Sequence, residues 1–291
     1  MRSGLRPSLY SPFMKGLSLH LVRPGSRFRL ADIDSSSTPG FLPRKGEKNG
    51  DVKARAEAEL EDNAAAIAKL QERLYAQNTH AVLVVLQGMD TSGKDGVIRH
   101  VFHGVNPQGC HVTSFKKPSE AEADRDYLWR IHAAVPPRGV IGVFNRAHYE
   151  DVLIVRVHSF VPEKVWRARY DQINAFEKYL ADNHVVVLKC MLHISKGEQL
   201  ERLRARVEDP EKRWKFSPQD LVERKVWPKY MAAYQDTVSR CSTDHAPWHV
   251  IPADRKWYAR WAVSTILRGT LEAMDPKPHK VDFDPASIVL E

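Results

Sequence analysis

The sequence predicts an α/β fold of three layers, with a five-stranded parallel sheet held between helices. Two observations carry this. Five short apolar runs rich in Val, Ile and Leu alternate with stretches of helical periodicity, and continuous apolar character marks strands covered on both faces. The first run leads straight into GMDTSGKDG (88–96), a glycine-bracketed turn that opens a helical pattern. Strands joined through helices in this order require right-handed crossovers, which put ligands at the carboxyl ends of the strands.

Residues 1–50 are rich in Ser, Pro, Gly, Lys and Arg, and DSSSTPG and PRKGEKNG predict an extended arm with little regular structure. From Asp51 an Ala/Glu/Lys/Leu-rich segment repeats Leu60, Ile67, Leu70 and Leu74 at helical spacing, so one face of a long helix turns inward. The strands are AVLVVLQ (81–87), HVTSF (111–115), VIGVF (140–144), VVVLKCML (185–192) and WHVIPA (248–253). Helices are predicted near 94–104, 119–134, 162–183, 195–206, 218–240 and 255–273. One domain then spans 51–280, and 281–291 is a C-terminal tail.

With 43% apolar residues the chain can fill a core. Lys and Arg number 44 against 36 acidic residues, a net charge of +8 and a pI near 9.3, which favours a polyanionic partner. Cys110, Cys190 and Cys241 are too scattered for a disulfide framework or a Cys-x-x-Cys metal site. No apolar run approaches the ~20 residues that span a bilayer, and the N-terminus lacks the pattern of a secretory signal. A reduced cytoplasmic setting, without a membrane partner, is the expectation.

The turn after the first strand has the Gly-x-x-x-x-Gly-Lys spacing of a phosphate cradle. Gly88 and Gly93 permit the tight turn, backbone N–H groups of Thr91 and Ser92 point inward, and Lys94 reaches the outer phosphates at a helix N-terminus. Yet Asp90 and Asp95 stand where a polyanion should sit. Asp95 occupies the Ser or Thr position that normally holds a metal, so Asp90 is the natural substitute, and a bound cation reverses the repulsion. A second cluster follows the third strand as FNRAHYEDVL (144–153). It has Asn145 at the usual metal position, Arg146 able to clamp phosphate oxygens, and Glu150 and Asp151 a turn later. Residues 202–218, RLRARVEDPEKRWKFSP, are dense in Lys and Arg and broken by Asp-Pro, as in a lid hinged over a phosphate site.

Taken together, QGMDTSGKDG, GVNPQGCHVTSFKKPS, FNRAHYEDVLIVRVH, DPEKRWKFSPQDL and STDHAPWHVIPADRKWYAR resemble the blocks of the polyphosphate kinase 2 family, in order. The resemblance covers about residues 17–273. It implies a thymidylate-kinase-like P-loop kinase fold with a lid, and reversible, Mg²⁺-dependent transfer of the terminal phosphoryl group of inorganic polyphosphate to a nucleotide. Carried over, it makes Asp90 the metal-binding and Lys94 the phosphate-binding residue of the loop. Arg146 then contacts phosphate, as do Arg206, Lys212 and Lys215 of the lid, and Lys116 faces the polyphosphate path. Asn145, Glu150 and Asp151 look like the subgroup acting on both nucleoside mono- and diphosphates, with Asp151 favoured over Asn145 as second metal ligand. The family also implies a homo-oligomer, a dimer or tetramer. Two other readings stay open: an ATP-dependent nucleoside monophosphate kinase, and a non-catalytic nucleic-acid-binding protein. The second has few aromatics interleaved with its basic residues, so a nucleic-acid partner is not expected.

Overall fold

A computed structural model describes residues 20–284 and Ile288. The rest of the predicted arm and most of the tail lie outside the described residues. In chain order, the first strand, β1 (Leu21–Val22), is followed by the long helix α1 (Asn49–Gln77), β2 (Ala81–Gln87) and α2 (Lys94–Val101). Next come β3 (Cys110–Ser114), α3 (Glu120–Ala123), α4 (Trp129–Ala133) and β4 (Ile141–Asn145). A 3-10 turn at His148–Asp151 leads to α5 (Ile154–Val157), α6 (Glu163–Asp182), β5 (Val185–His193) and α7 (Lys196–Glu208). The chain closes with α8 (Pro218–Lys225), α9 (Trp227–Cys241), β6 (Trp248–Pro252) and α10 (Lys256–Met274).

The sheet has six strands rather than five, in the order β1-β6-β5-β2-β4-β3. Five are parallel; β1 pairs antiparallel with β6, Leu21 opposite His249 and Val22 opposite Trp248. A two-residue strand has no periodicity to read, so composition could not announce it. Every residue of β2 is buried, as its unbroken apolar run requires. α1, α2 and α10 pack together, α5, α6 and α9 pack together, and α10 and α6 both touch β5, so the sheet lies between two helical layers. No helix among the described residues is long and apolar enough to cross a membrane.

Two predicted helices are broken. The stretch 119–134 forms α3 and α4 separately: Ser119 caps α3 with Glu122 answering its backbone N–H, and the chain then turns through Asp126. The stretch 218–240 is split at Val226, before Pro228 at the start of α9. Cys190 and Cys241 are buried and Cys110 half-buried, all as free thiols.

Behind the site runs a fully buried charged network. Lys189, on the central strand β5, donates to Glu177 Oε2 at 2.5 Å, to the Tyr149 hydroxyl at 2.8 Å and to the Cys241 carbonyl at 2.6 Å. Tyr149 donates on to Glu177 Oε1 at 2.6 Å, and His148 Nε2 lies 3.1 Å from the same oxygen. Burial would raise the Glu177 carboxyl, but Lys189 and His148 hold it below the usual carboxylate range. His148 is thus a structural residue, anchoring the 3-10 turn to α6.

Candidate functional site

β2 is the middle of the parallel sheet, and its carboxyl end feeds the Gly88–Lys94 loop. Gly88 has φ +150°, and a Cβ there would lie 2.6 Å from the Leu192 carbonyl oxygen, so only glycine fits. Thr91 and Gly93 also have positive φ, which curls the loop before α2 starts at Lys94. The Lys94 ammonium folds back on the loop, donating to Gly88 O at 2.8 Å and Met89 O at 3.3 Å. Burial, then Arg146, push it down to about 8, while Asp90, Glu150 and Asp95 oppose the shift.

β4 delivers the second cluster beside the first. Arg146 takes a left-handed φ of 64°, strain of a kind that collects at functional sites. Its guanidinium donates to the Asp90 carboxylate, and Asn145 Nδ2 donates to Asp95 Oδ1 at 2.7 Å. Both sequence-predicted clusters therefore meet at one point, across neighbouring strands. Glu150 sits below them. With its amide turned to suit its neighbours, Gln87 donates to Glu150 Oε1 at 3.1 Å and accepts from the Ala147 N–H at 3.1 Å. Burial raises the Glu150 carboxyl, with Arg146 and Lys94 acting against it.

Asp151 stands apart. Its carboxylate accepts from Arg169 at 2.8 Å, burial pushes it up to about 6 despite Arg169 and Arg130, and it does not line the cleft.

The cleft over the loop encloses about 690 Å³. Thr91, Ser92, Gly93, Lys94 and Asp95 form its floor with Asp90, and Asn145, Arg146 and Lys116 border it on the β4–β3 flank. The opposite wall comes from Arg206, Lys212, Trp214, Lys215 and Asp220, together with Lys256 and Arg260 of α10. Residues 202–218 have the predicted break: α7 ends at Glu208, a 3-10 turn covers Arg213–Lys215, and Ser217 caps α8. Within this stretch Arg206 reaches Lys215 O at 3.2 Å and Asp220 at 3.7 Å, and Lys212 pairs with Asp209. At Ser114, Phe115 and Lys116 the cleft opens into a second pocket of about 430 Å³, which Lys117, Trp129 and Arg130 also line.

Several residues of the site lie outside the sequence-predicted set. Arg202 is buried against the loop, donating to the carbonyls of Thr91 at 2.9 Å, Ser92 at 3.0 Å, Ala253 at 2.6 Å and Asp254 at 3.0 Å. Gln199, on the same helix, donates to Asp90 O at 3.1 Å. Arg202 lies one turn before Arg206, and Lys256 one turn before Arg260 in RKWYAR, so i, i+4 spacing was the available signal. Among the described residues no three His, Cys, Asp or Glu side chains gather to cage a metal. Asp90 and Asp95 do fit a hard divalent ion that takes one or two carboxylates and completes its shell with water and phosphate oxygens.

Residues 51–279 match the family model of polyphosphate kinase 2. The chain is 48% identical over 270 residues to the AMP/ADP-polyphosphate phosphotransferase of Meiothermus ruber, covering 93% of this chain and 98% of that protein. It is also 48% identical over 220 residues to the ADP-polyphosphate phosphotransferase of Rhodopseudomonas palustris, covering 72% and 76% of the two chains. A crystal structure of polyphosphate kinase 2 from Arthrobacter aurescens superposes with a TM-score of 0.88, at 43% identity and over 94% of each chain.

Proposed function

Because this chain belongs to the polyphosphate kinase 2 family, we propose that it moves the terminal phosphoryl group of inorganic polyphosphate onto AMP and ADP. One observation supports this above others: cationic side chains line the cleft along its length, from Arg146 through Lys94 to the lid and α10, as a donor made only of phosphate requires. We read the loop at the end of β2 as a P-loop, residues 202–218 as its lid, and the whole as a thymidylate-kinase-like arrangement.

The acceptor belongs in the pocket beside β3, where Lys117 and Lys116, which the resemblance set on the polyphosphate path, meet its phosphates, and the Trp129 ring, which carries the Arg125 guanidinium 4.3 Å from its centroid on one face, offers its base the other. From there its terminal oxygen attacks the end phosphorus of the donor in line. Lys94 swings off the Gly88 carbonyl to the transferring group, Arg146 exchanges Asp90 for phosphate oxygens, and backbone N–H groups at the start of α2 face the same charge. Arg206, Lys212 and Lys215 close over the donor and exclude water. Mg²⁺, held by Asp90 with Asp95 beside it, would supply the remaining charge neutralisation between phosphate oxygens. No covalent intermediate is needed.

Incubating the purified protein with Mg²⁺, long-chain polyphosphate and AMP, without ATP, tests the reading. ADP and then ATP are expected. Product that appears only when ATP is supplied as donor would make the protein an ATP-dependent monophosphate kinase instead.

A further inference from the structure

Lys256 and Arg260 lie one turn apart on the first turns of α10 and line the cleft on the side away from Lys116. Strand order explains the separation: β4 and β3 flank the Gly88–Lys94 loop on one side, β5 and β6 on the other, and α10 starts just beyond β6. Among the described residues neither cation has a carboxylate within ion-pair distance. Their neighbours are mostly cations. Burial, then Arg202 and Arg260, hold Lys256 below the ordinary lysine range, with Glu198 opposing; burial lowers Arg260, Glu57 opposes, and Arg202 and Arg99 add to the lowering. The Arg260 guanidinium lies over the first turn of α2, its Nη2 3.5 Å from where a Cβ on Gly96 would stand, which puts it beside the loop.

Arg202 cannot serve a ligand here, because its guanidinium is committed to four backbone carbonyls and Glu198. Among the described residues Lys256 and Arg260 have no such commitments. Grouping them near Arg202, Arg99 and Lys212 costs Coulomb energy that Glu198 and Glu57 oppose and a bound anion relieves further, and an anion reaching from Lys94 to α10 has to be extended. With the acceptor on the β3 side, the rest of a phosphate chain whose end sits at Lys94 has to leave toward α10.

We infer that Lys256 and Arg260 form a tail subsite, gripping phosphate units of the donor beyond those at the loop and lid, and so set a preference for long polyphosphate over short. This rests on the reading of the cleft given under the proposed function. A donor too short to reach α10 gains nothing from the two side chains, whereas a long one gains both contacts.

The test is steady-state kinetics with size-fractionated polyphosphate at saturating ADP, on wild type, K256Q, R260Q and the double variant, with calorimetric titration of the same fractions without nucleotide. In the double variant, kcat/KM for the long fraction should fall about tenfold relative to that for the shortest, roughly what losing one or two charge-assisted contacts implies. Long-chain affinity in the titration should fall in parallel, and K256R/R260K should restore most of both. An equal fall for all lengths, or no fall, overturns the tail subsite. Wild type that forms no product from any fraction would instead overturn the proposed function, so the two failures are distinct.

Discussion

The guanidinium of Arg146 donates to the carboxylate of Asp90 and joins two motifs 56 positions apart in sequence. Each of these charges neutralises the other, and the proposed transfer draws on both. In that reading substrate and cation replace the pair together, so the two residues act as one unit. Asp90→Asn and Arg146→Ala should each cost about 10²–10³-fold in turnover, and the double variant little more than either single. Rates of ATP formation from ADP on the four proteins, with circular dichroism as the folding control, decide it; multiplicative losses would separate the roles.

Lys94 has its proton affinity depressed to about 8. Between about 8 and the ordinary lysine value of 10.5 the unfolded chain holds a proton that the folded chain lacks, so the cost of burying the charge is felt below 8 and lifts as pH rises. A bound polyanion favours the charged form and draws the proton back. Polyphosphate binding near pH 9 should therefore take up a proton, seen as binding enthalpies that vary with buffer ionisation heat, and Lys94→Arg should abolish the dependence.

Gly88→Ala places a Cβ 2.6 Å from a backbone oxygen and 2.7 Å from Ser92 Oγ, at a φ that side chains rarely adopt. At least about 1–3 kcal/mol of strain follows. A lower Tm with activity lost beyond what unfolding explains is the expected pair of results, against a control substitution at exposed Gly50.

The Glu177–Lys189 pair is the weakest point for substitution in the core. Lys189→Met alone leaves a carboxylate buried without its cation and should cost about 3–5 kcal/mol in denaturant unfolding. Lys189→Met with Glu177→Leu should recover much of that loss. A double variant as unstable as the sum of the singles would deny the coupling.

Trp129→Ala removes the stacking surface of the second pocket without touching the loop. KM for ADP should rise about three- to tenfold, the worth of an aromatic contact, while KM for polyphosphate stays within about twofold. Matching shifts in both would remove the acceptor from that pocket.

The parallel strands and the loop were legible because burial on both faces and tight turning each leave a local signature. AVLVVLQ became β2 without a shift of boundary, and Lys94 opens α2. Contacts across the fold leave no such signature. Arg202 reads as one more cation on a basic helix, and only the crossing from β5 to β6 brings it under Thr91 and Ser92. Asp151 reads as a metal ligand beside Glu150, yet the 3-10 turn at His148–Asp151 aims it at Arg169. Its direction depends on a partner 18 residues away.

The antiparallel strand β1 belongs to a segment sewn to the rest of the molecule. Val250 N–H reaches His20 O, the Tyr258 hydroxyl meets both the His20 ring and Pro39 O, and Ser35 donates to Asp254 at 2.8 Å. Asp254 in turn accepts from Ser195 at the start of α7 and, through its carbonyl, from Arg202, which holds the Thr91–Ser92 turn. A gene trimmed to begin after codon 40 would thus cut the far end of a tether that runs to the Thr91–Ser92 turn. Expression plasmids that discard this N-terminal segment as ornamental would yield a protein slackened at its centre.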